Sequence, residues 1–396
     1  MKLSINVTSF FRLLTSESVN DMRRETIIAL FSTPTHRGPF PCEGRYTCRR
    51  RKLFSILSIG LVITVVLGVI IWYLILVALI ARLRPPPTPN NGLRAIISNW
   101  VEPGSVATQP ASWFPRFSRD ITPIACHSHN DYERDIPLFD ALQVGCTSVE
   151  ADIWLEDSEL YVSHHKSQIK PNRTLKTLYI NPLLEILKNQ NLPATFPDTS
   201  EDIRPQGVFD KAPNTTLVLL VDFKTDGEET FPYLMKQLEP LRQAGWLSYY
   251  DSATLSRVAR PITVVGTGNT PFSFIATNQT TDIFFDAPLA SLESTDLYNT
   301  TNSYYASVSI KKAVGHIWSW GLSSKQIKTI KTQIQMAKNA GLIARYWDTP
   351  SWPVGLKLSI WRILEEEDVG VLNVDDLVTA TRWNWKFCTI LGLQLC

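Results

Sequence analysis

One uninterrupted apolar stretch near the N-terminus constrains this chain of 396 residues more than any other feature. Residues 53–81 contain no charged side chain, and about 20 apolar residues in a helix cross the ~30 Å hydrocarbon core of a bilayer. The stretch is too long for a buried strand and too apolar on every side for a surface helix, and the alternative is a very hydrophobic core helix. A cleavable signal peptide starts closer to the N-terminus and has a shorter apolar region. The stretch therefore predicts one transmembrane signal-anchor helix.

The charges that flank this stretch predict its orientation. Four consecutive basic residues, 49–52, precede it, whereas only Arg82 and Arg84 follow it closely. The positive-inside rule then leaves a polar tail, 1–52, in the cytosol and the rest of the chain in the lumen or outside the cell, as in a single-pass type II membrane protein of the secretory pathway. Glycosylation acceptors of the form N-x-[ST] agree with this, since four follow the span and one precedes it: Asn172, Asn214, Asn278 and Asn299, and Asn6.

Composition excludes several classes of protein. The net charge of only +2 gives no basic face for nucleic acid, so no nucleic-acid partner is expected. The 12 Trp, 12 Tyr and 17 Phe exclude disorder over most of the chain. The six Cys form no C-x-x-C pair. We expect Cys126 and Cys146 to be packing residues of strands, and an oxidising compartment would permit Cys388 and Cys396 to close a small loop.

Beyond the span, a proline-rich linker and approach segment, 82–119, leads into a globular region, 120–396. Alternating strand and helix patterns there predict a parallel sheet with helices outside it. About eight strands in roughly 270 residues favour an irregular (β/α)₈ barrel, since 190–215 and 266–300 show little helical pattern. The predicted strands lie near 121–127, 146–153, 216–223, 261–265, 273–284 (broken), 305–310, 342–346 and 369–374, and the helices near 136–144, 181–189, 228–243, 322–340 and 354–367.

Histidines cluster at the ends of two predicted strands. The chain has six, of which His127 and His129 end the first strand and His164 and His165 follow the second. Two residues that lie two apart on a strand can point the same way into the mouth of a barrel, where active sites of this fold form. The alternative is a turn with incidental histidines.

Carboxylates and a lysine occupy neighbouring strand ends. Glu150 and Asp152 share one face of a strand, and Asp222 shares a face with Lys224 on the next. Buried side by side, the carboxylates would repel each other unless a divalent cation such as Mg²⁺ or Ca²⁺ neutralised them. An inward lysine beside them suits an anion such as a phosphate. The alternatives are a solvated acidic edge strand, a metal-free carboxylate pair for glycoside cleavage, and a structural ion pair for the lysine.

Together these residues are what metal-assisted cleavage of a phosphodiester needs. One histidine removes a proton from the nucleophile, the other protonates the leaving alkoxide, and the cation and lysine stabilise charge on the phosphoryl oxygens.

Several motifs over about 120–385 resemble the fungal altered inheritance of mitochondria protein 6 family, within the phospholipase C-like phosphodiesterase superfamily of (β/α)₈ barrels. They read HSHNDYE at 127–133, PLFDAL at 137–142, TSVEADIW at 147–154, DFKT at 222–225, FDAPL at 285–289, RYWDTP at 345–350 and LNVDDL at 372–377. The resemblance implies this barrel and these roles: a first catalytic histidine at His129 or His127, a second at His164, and metal ligands Glu150, Asp152, Asp222 and Asn130.

Within this resemblance His129 is the favoured first histidine, because Asn130 follows it and Pro137 lies eight residues on. The chain departs from relatives where they tend to read Gly-His-Asp, since Ser163 and His165 flank its second histidine. The His-Arg-Gly motif typical of glycerophosphodiesterases is absent.

The sequence thus predicts a membrane-anchored phosphoric diester hydrolase that binds one Mg²⁺ or Ca²⁺ and cleaves a lipid or glycerophosphodiester-type substrate. The alternative is a catalytically silent barrel that serves as a membrane binding or scaffold protein, which the Ser163 and His165 departures favour. A glycosidase is disfavoured, because glycoside cleavage needs neither the histidines nor Lys224.

Overall fold

The computed structural model describes residues 45–83, 91–103, 117–192, 204–276, 281–294, 296–381, 389–390 and 393–394. The chain divides after Leu83 into two units. The first unit contains the helix α1, Arg45–Leu83. Within the described residues, Leu53–Ala78 is the one helical segment long and apolar enough to cross a membrane, and its side chains are exposed. The crossing itself stays a prediction.

Helix α1 begins before the apolar stretch, since residues 45–52, assigned to the polar tail from the sequence, are helical. These residues include no Pro or Gly and are mostly Arg and Lys, which favour helix.

The second unit is built on eight parallel strands. They are β1 Ile124–Ser128, β2 Cys146–Glu156, β3 Leu217–Phe223, β4 Ile262–Gly268, β5 Ile283–Pro288, β6 Ser303–Ser309, β7 Ile343–Trp347 and β8 Leu372–Val374. They pair in chain order from β1 to β7, and β8 pairs with β1. Between β7 and β8 the described residues form no ladder, but Arg345 Nε lies 3.4 Å from Asn373 Oδ1. The predicted eight-stranded barrel is confirmed as a nearly closed one.

Helices connect the strands along the outside. They are α2 Gly92–Ser98, α3 Phe139–Val144, α4 Asn181–Gln190, α5 Gly227–Gln243, α6 Phe272–Ala276, α7 Ile310–Val314, α8 Ser324–Asn339, α9 Val354–Glu366 and α10 Leu377–Ala380. Shorter elements are the 3₁₀ turns Asp131–Glu133, Lys166–Gln168 and Leu289–Ser294, the π-helical turn Lys176–Ile180, the strand Glu159–Val162 antiparallel to β2, and the antiparallel pairs Tyr249–Asp251 with Ser256–Val258 and Thr389–Ile390 with Leu393–Gln394.

Two apolar clusters fill this unit. The larger lies between the sheet and the helices, and includes Leu93 and Phe117 from the segment that the sequence assigned to the approach. A smaller one fills the barrel interior and consists of Val218, Leu220, Val265, Tyr305 and Val371. Because this inner cluster uses the early residues of the strands, the C-terminal strand ends are free for polar side chains.

One strand prediction was wrong in part. The sequence placed a broken strand over 273–284, but Phe272–Ala276 is helix and the strand is Ile283–Pro288, with 277–280 outside the described residues. The run Phe-Ser-Phe-Ile resembles a strand pattern. Packing decides otherwise, because Ile275 enters the core and the Phe272 ring contacts Phe285.

A disulfide joins β1 to β2 through Cys126 and Cys146. Both residues are buried in the core, as expected for packing residues. The expectation was incomplete, because the two strands are neighbours and bring the sulfurs into bonding distance. Residues Cys388 and Cys396 lie outside the described side chains.

Candidate active site

Of the eight residues predicted for the site, seven lie on β1, β2 and β3 or just beyond them, and His164 follows the strand Glu159–Val162 that is antiparallel to β2, at the C-terminal end of the barrel. They are His127, His129, Asn130, Glu150, Asp152, His164, Asp222 and Lys224. Their parallel strands are adjacent in the order β1, β2, β3, and Asp152 is the register partner of Asp222. This is the end at which barrels of this kind place their active sites.

Three carboxylates converge at the centre of this end. One oxygen each of Glu150, Asp152 and Asp222 lies within 4.8 Å of the others. Asp152 Oδ1 is buried and has no hydrogen-bond partner among the described residues. Asn130 is in the left-handed conformation at φ 46°, and its backbone N–H donates to Glu150 Oε2 at 3.2 Å. An all-oxygen set with an unpartnered carboxylate oxygen fits Mg²⁺ or Ca²⁺.

Two basic side chains contact the three carboxylates and neutralise only part of their negative charge. Lys224 Nζ bridges Asp152 Oδ2 at 2.9 Å and Asp222 Oδ2 at 2.6 Å. Arg345 NH2 lies 3.8 Å from Glu150 Oε1, and its buried NH1 has no partner among the described side chains. The three carboxylates outnumber the two cations Lys224 and Arg345, so negative charge is in excess among these five groups, which favours a bound cation.

The two buried carboxyls of β2 differ in acidity. Burial, together with the negative charges of Glu150 and Asp222, raises the pKa of Asp152 to about 6. Burial also opposes ionisation of Glu150, but the hydrogen bond from His127 and the charge of Arg345 outweigh it and lower its pKa. Burial likewise opposes the charge on Lys224, yet the adjacent Asp222 and Asp152 raise its pKa, so the lysine stays cationic.

His127 is fully buried, and both of its ring nitrogens are hydrogen-bonded. Nε2 lies 3.2 Å from Glu150 Oε2, and Nδ1 lies 2.6 Å from Ser148 Oγ, which in turn accepts from the Tyr305 hydroxyl at 3.0 Å. Burial and the charge of Arg345 lower its pKa to about 4, so the ring is neutral. A neutral ring that donates from Nε2 to Glu150 accepts the Ser148 proton at Nδ1. His127 therefore positions Glu150 and has no free nitrogen for a substrate.

His129, in contrast, is partly exposed. Its Nδ1 lies 2.7 Å from Asp375 Oδ1, and its Nε2 lies 4.0 Å from Glu150 Oε2. Burial opposes the charged ring, but the hydrogen bond to Asp375 and the charge of Glu150 outweigh it and raise the pKa of His129. The Asp375 carboxylate accepts from Nδ1–H, which directs Nε2 toward the carboxylate cluster. The geometry favours His129 over His127 as the histidine that can meet a substrate.

His164 lies on the other side of the cluster. Its Nδ1 is 3.5 Å from Asp152 Oδ2 and 3.2 Å from the Tyr132 hydroxyl. That hydroxyl has two acceptors for its one proton, Asp152 Oδ2 at 2.8 Å and Asn130 Oδ1 at 3.0 Å. The imidazole Nδ1–H then donates to the tyrosine oxygen, and Nε2 is left for solvent. Trp154 Nε1 donates to the carbonyl of Ser163 at 2.8 Å and so fixes the loop before His164.

Four further residues complete the site and were not singled out as site residues from the sequence: Tyr132, Ser148, Arg345 and Asp375. Tyr132, Ser148 and Asp375 belong to the quoted motifs, and Arg345 begins another. A signal for Arg345 and Asp375 was present, because each lies near the end of a predicted strand, where this fold places its polar groups. Their partners could not be deduced, since His129 and Asp375 are 246 residues apart in sequence.

Comparison with known proteins agrees with this geometry. Residues 115–286 match the model described as the AIM6-like phosphodiesterase domain. The "Altered inheritance of mitochondria protein 6 homolog" of Arthroderma benhamiae is 41% identical over 311 residues, which cover 76% of this chain and 95% of that protein. The "Altered inheritance of mitochondria protein 6" of Saccharomyces cerevisiae is 36% identical over 289 residues, which cover 67% and 72%.

Among solved structures, a glycerophosphodiester phosphodiesterase from Parabacteroides distasonis is similar at 12% identity and a TM-score of 0.32, over 67% of this chain and 95% of that one. Both relatives are more than 30% identical, and this chain covers more than two thirds of each. The chain therefore belongs to the altered inheritance of mitochondria protein 6 family and carries a phosphodiesterase-like domain of that family.

Proposed function

We propose that this protein is a membrane-anchored, metal-dependent phosphodiesterase that cleaves a lipid or glycerophosphodiester-type substrate. The observation that carries the proposal is the convergence of Glu150, Asp152 and Asp222, with an unpartnered oxygen on Asp152, between two partly exposed histidines. The family membership agrees with it.

The three carboxylates, with Asn130 beside them, would hold one Mg²⁺ or Ca²⁺. When bound, such an ion neutralises charge that develops on phosphoryl oxygens. The Lys224 ammonium, which is partly exposed, supplies a donor to the same oxygens. Arg345 is buried beside Glu150 and acts on the site through its charge.

The histidines divide the proton transfers. His129 Nε2 removes a proton from the attacking hydroxyl while Asp375 holds Nδ1–H. As the new O–P bond forms, the P–O bond to the leaving group breaks, and the imidazolium form of His164 gives its Nε2 proton to the leaving alkoxide. Tyr132 holds the Nδ1–H of His164 throughout. If the nucleophile is a hydroxyl of the substrate, the product is a cyclic phosphodiester, and the two histidines exchange roles when water opens it.

The second candidate is a silent barrel that binds without cleaving. The observation that favours it is the Lys224 bridge, because the ammonium already neutralises part of the charge of Asp152 and Asp222. In that case Lys224 forms a structural ion pair with these carboxylates, and no metal ion is required.

The experiment is a hydrolysis assay of the full chain in lipid nanodiscs, with bis(p-nitrophenyl) phosphate, lysolipid and glycerophosphodiester substrates. We expect turnover that requires Mg²⁺ or Ca²⁺ and is lost with a chelator. The variant His164→Ala removes the general acid and should lower the rate by roughly 10²–10⁴-fold while metal binding persists.

His165→Ala is the matched control, since this exposed neighbour contacts the His164 ring only edge to edge at a centroid distance of 4.5 Å. It should leave most activity intact. Activity that survives His164→Ala but is lost in His165→Ala would show that His164 is not the general acid. Absence of metal-dependent turnover on every substrate would favour the silent barrel.

A further inference from the structure

Three exposed tryptophans lie on two neighbouring loops at the mouth of the barrel. Trp318 and Trp320 follow β6, and Trp352 follows β7, which is paired with β6 in parallel. Loops that leave the C-terminal ends of parallel strands lie at one end of a barrel, so these loops share the end that bears His129 and His164. We call Trp318, Trp320 and Trp352 the tryptophan rim.

The exposure of the rim is large for side chains of this kind. Trp318 is 55% exposed, Trp320 78% and Trp352 77%, although burial of a large apolar side chain is favourable. The rings of Trp318 and Trp320 stack at 5.0 Å with 2° between their planes. A group of exposed indoles is typical of a surface that contacts a partner.

The loop that carries two of these rings is fixed. Gln326, in the capping box of α8, donates to the backbone oxygens of Val314 at 3.1 Å and His316 at 2.9 Å. Gly321 N–H donates back to the Trp318 carbonyl at 3.0 Å. The rim is therefore presented by an ordered loop, and its indoles are exposed even though the backbone is held.

Lysines without acidic neighbours in sequence flank Trp318 and Trp320 along the chain. The segment 310–328 contains four lysines and no Asp or Glu. Lys311 pairs with Asp348 at 2.7 Å. The other three, Lys312, Lys325 and Lys328, are exposed, and we call them the lysine set. They lie on α7 and the first turns of α8, which begin at the same end of the barrel.

Indoles beside lysines suit the interface of a bilayer. Trp places its apolar ring among acyl chains and its N–H among headgroups, and lysines near the surface attract anionic lipids. The chain also bears its own apolar helix, and only residues 84–90 separate that helix from the described start of the barrel unit.

We propose that the tryptophan rim inserts into the headgroup region of a lipid bilayer and that the lysine set binds its anionic headgroups. The mouth of the barrel then faces the membrane surface. This docking does not depend on catalysis, so it holds for an active phosphodiesterase and for a silent barrel alike.

The test uses the full chain in nanodiscs of phosphatidylcholine and phosphatidylserine, with or without bromine on the acyl chains, which quenches tryptophan on contact. The triple variant W318F/W320F/W352F removes the tryptophan fluorescence of the rim and keeps the apolar character of these three positions. The difference in emission between wild type and variant therefore belongs to the rim. We expect this difference to lose most of its intensity in brominated nanodiscs.

Trp246→Phe is the matched control, because Trp246 is nearly buried in the connection before β4, at the opposite end of the barrel. Its difference emission should not be quenched. Replacing the lysine set by Gln should reduce quenching of the rim when phosphatidylserine is present. Rim emission that is quenched no more than that of Trp246 overturns the proposal. The rim emission could also stay unquenched while the wild type is dimeric and the triple variant monomeric. That result would show that the rim contacts a second copy of this chain instead of the bilayer.

Discussion

Gly268 controls the position of one carboxylate of the candidate metal site. It ends β4 with φ +64°, next to Asp222 on β3, which pairs with β4. A Cβ at this position would lie 2.0 Å from Asp222 Oδ1 and 2.7 Å from the Phe223 carbonyl oxygen. Any side chain there must displace the carboxylate or the strand, because neither distance is compatible with van der Waals contact.

We expect Gly268→Ala to weaken cation binding by roughly 10–100-fold, as changes beside metal ligands commonly do. Titration of the full chain with Mn²⁺, followed by electron paramagnetic resonance, measures this affinity. Gly245→Ala is the control, since Gly245 has a similar φ of +70° with nothing within 4 Å of its added Cβ. Both variants carry the same backbone strain of about 1–2 kcal/mol from a side chain at positive φ. Equal cation affinities of the two variants would therefore show that Asp222 is not a ligand.

At this scale, strand alternation was sufficient to predict that Glu150 and Asp152 share a face. It could not distinguish His127 from His129, because both have the same parity on β1. Burial distinguishes them, since Ser148 and Tyr305 enclose His127 while His129 reaches Asp375 at the rim of β8. Burial depends on which strands close the barrel, and a single sequence does not contain that information.

The bond between Cys126 and Cys146 joins the two strands that carry most of the site. It lies one residue before His127 on β1 and at the first residue of β2. A bond across a loop of about 20 residues stabilises the folded chain by ~3 kcal/mol, chiefly because it restricts the unfolded state. The bond lies beside an irregularity in the pairing of β1 and β2, since the register shifts between Ile124 and His127.

We expect Cys126→Ala/Cys146→Ala to lower the free energy of unfolding of the barrel by about 2–4 kcal/mol. The thermal midpoint of the full chain in nanodiscs, followed by near-ultraviolet circular dichroism, should fall accordingly. Cys42→Ala/Cys48→Ala removes two cysteines N-terminal to the barrel unit and should leave the midpoint unchanged. A midpoint that is equal in both double variants would show that the bond does not stabilise the barrel.

Elements differed in how well their patterns predicted them. Strands β2, β3 and β4 are long apolar runs, and their observed bounds lie within a few residues of the expected ones. The segment Phe272–Ala276 was misassigned, because five residues are too few for helical and strand periodicity to differ. The disulfide was missed for a related reason: pairing of two cysteines requires knowing which strands are neighbours.

On the scale of the whole molecule, three independent features support a lumenal or extracellular barrel. The basic residues 49–52 precede the apolar helix. The disulfide of β1 and β2 is stable in an oxidising compartment. Two glycosylation acceptors of the barrel, Asn172 and Asn214, have exposed side chains, whereas Asn299 is partly buried and Asn278 lies outside the described residues.

The orientation predicts which acceptors are glycosylated when the full chain is expressed in a eukaryotic secretory cell. Oligosaccharyltransferase acts in the lumen and needs an accessible asparagine, so Asn172 and Asn214 should each carry a glycan. Endoglycosidase treatment should increase the gel mobility of the wild type, and Asn172→Gln and Asn214→Gln should each remove one step of that shift. Asn6→Gln, on the side expected to be cytosolic, should change nothing. A glycan on Asn6 together with none on Asn172 and Asn214 would reverse the topology and place the carboxylate site in the cytosol.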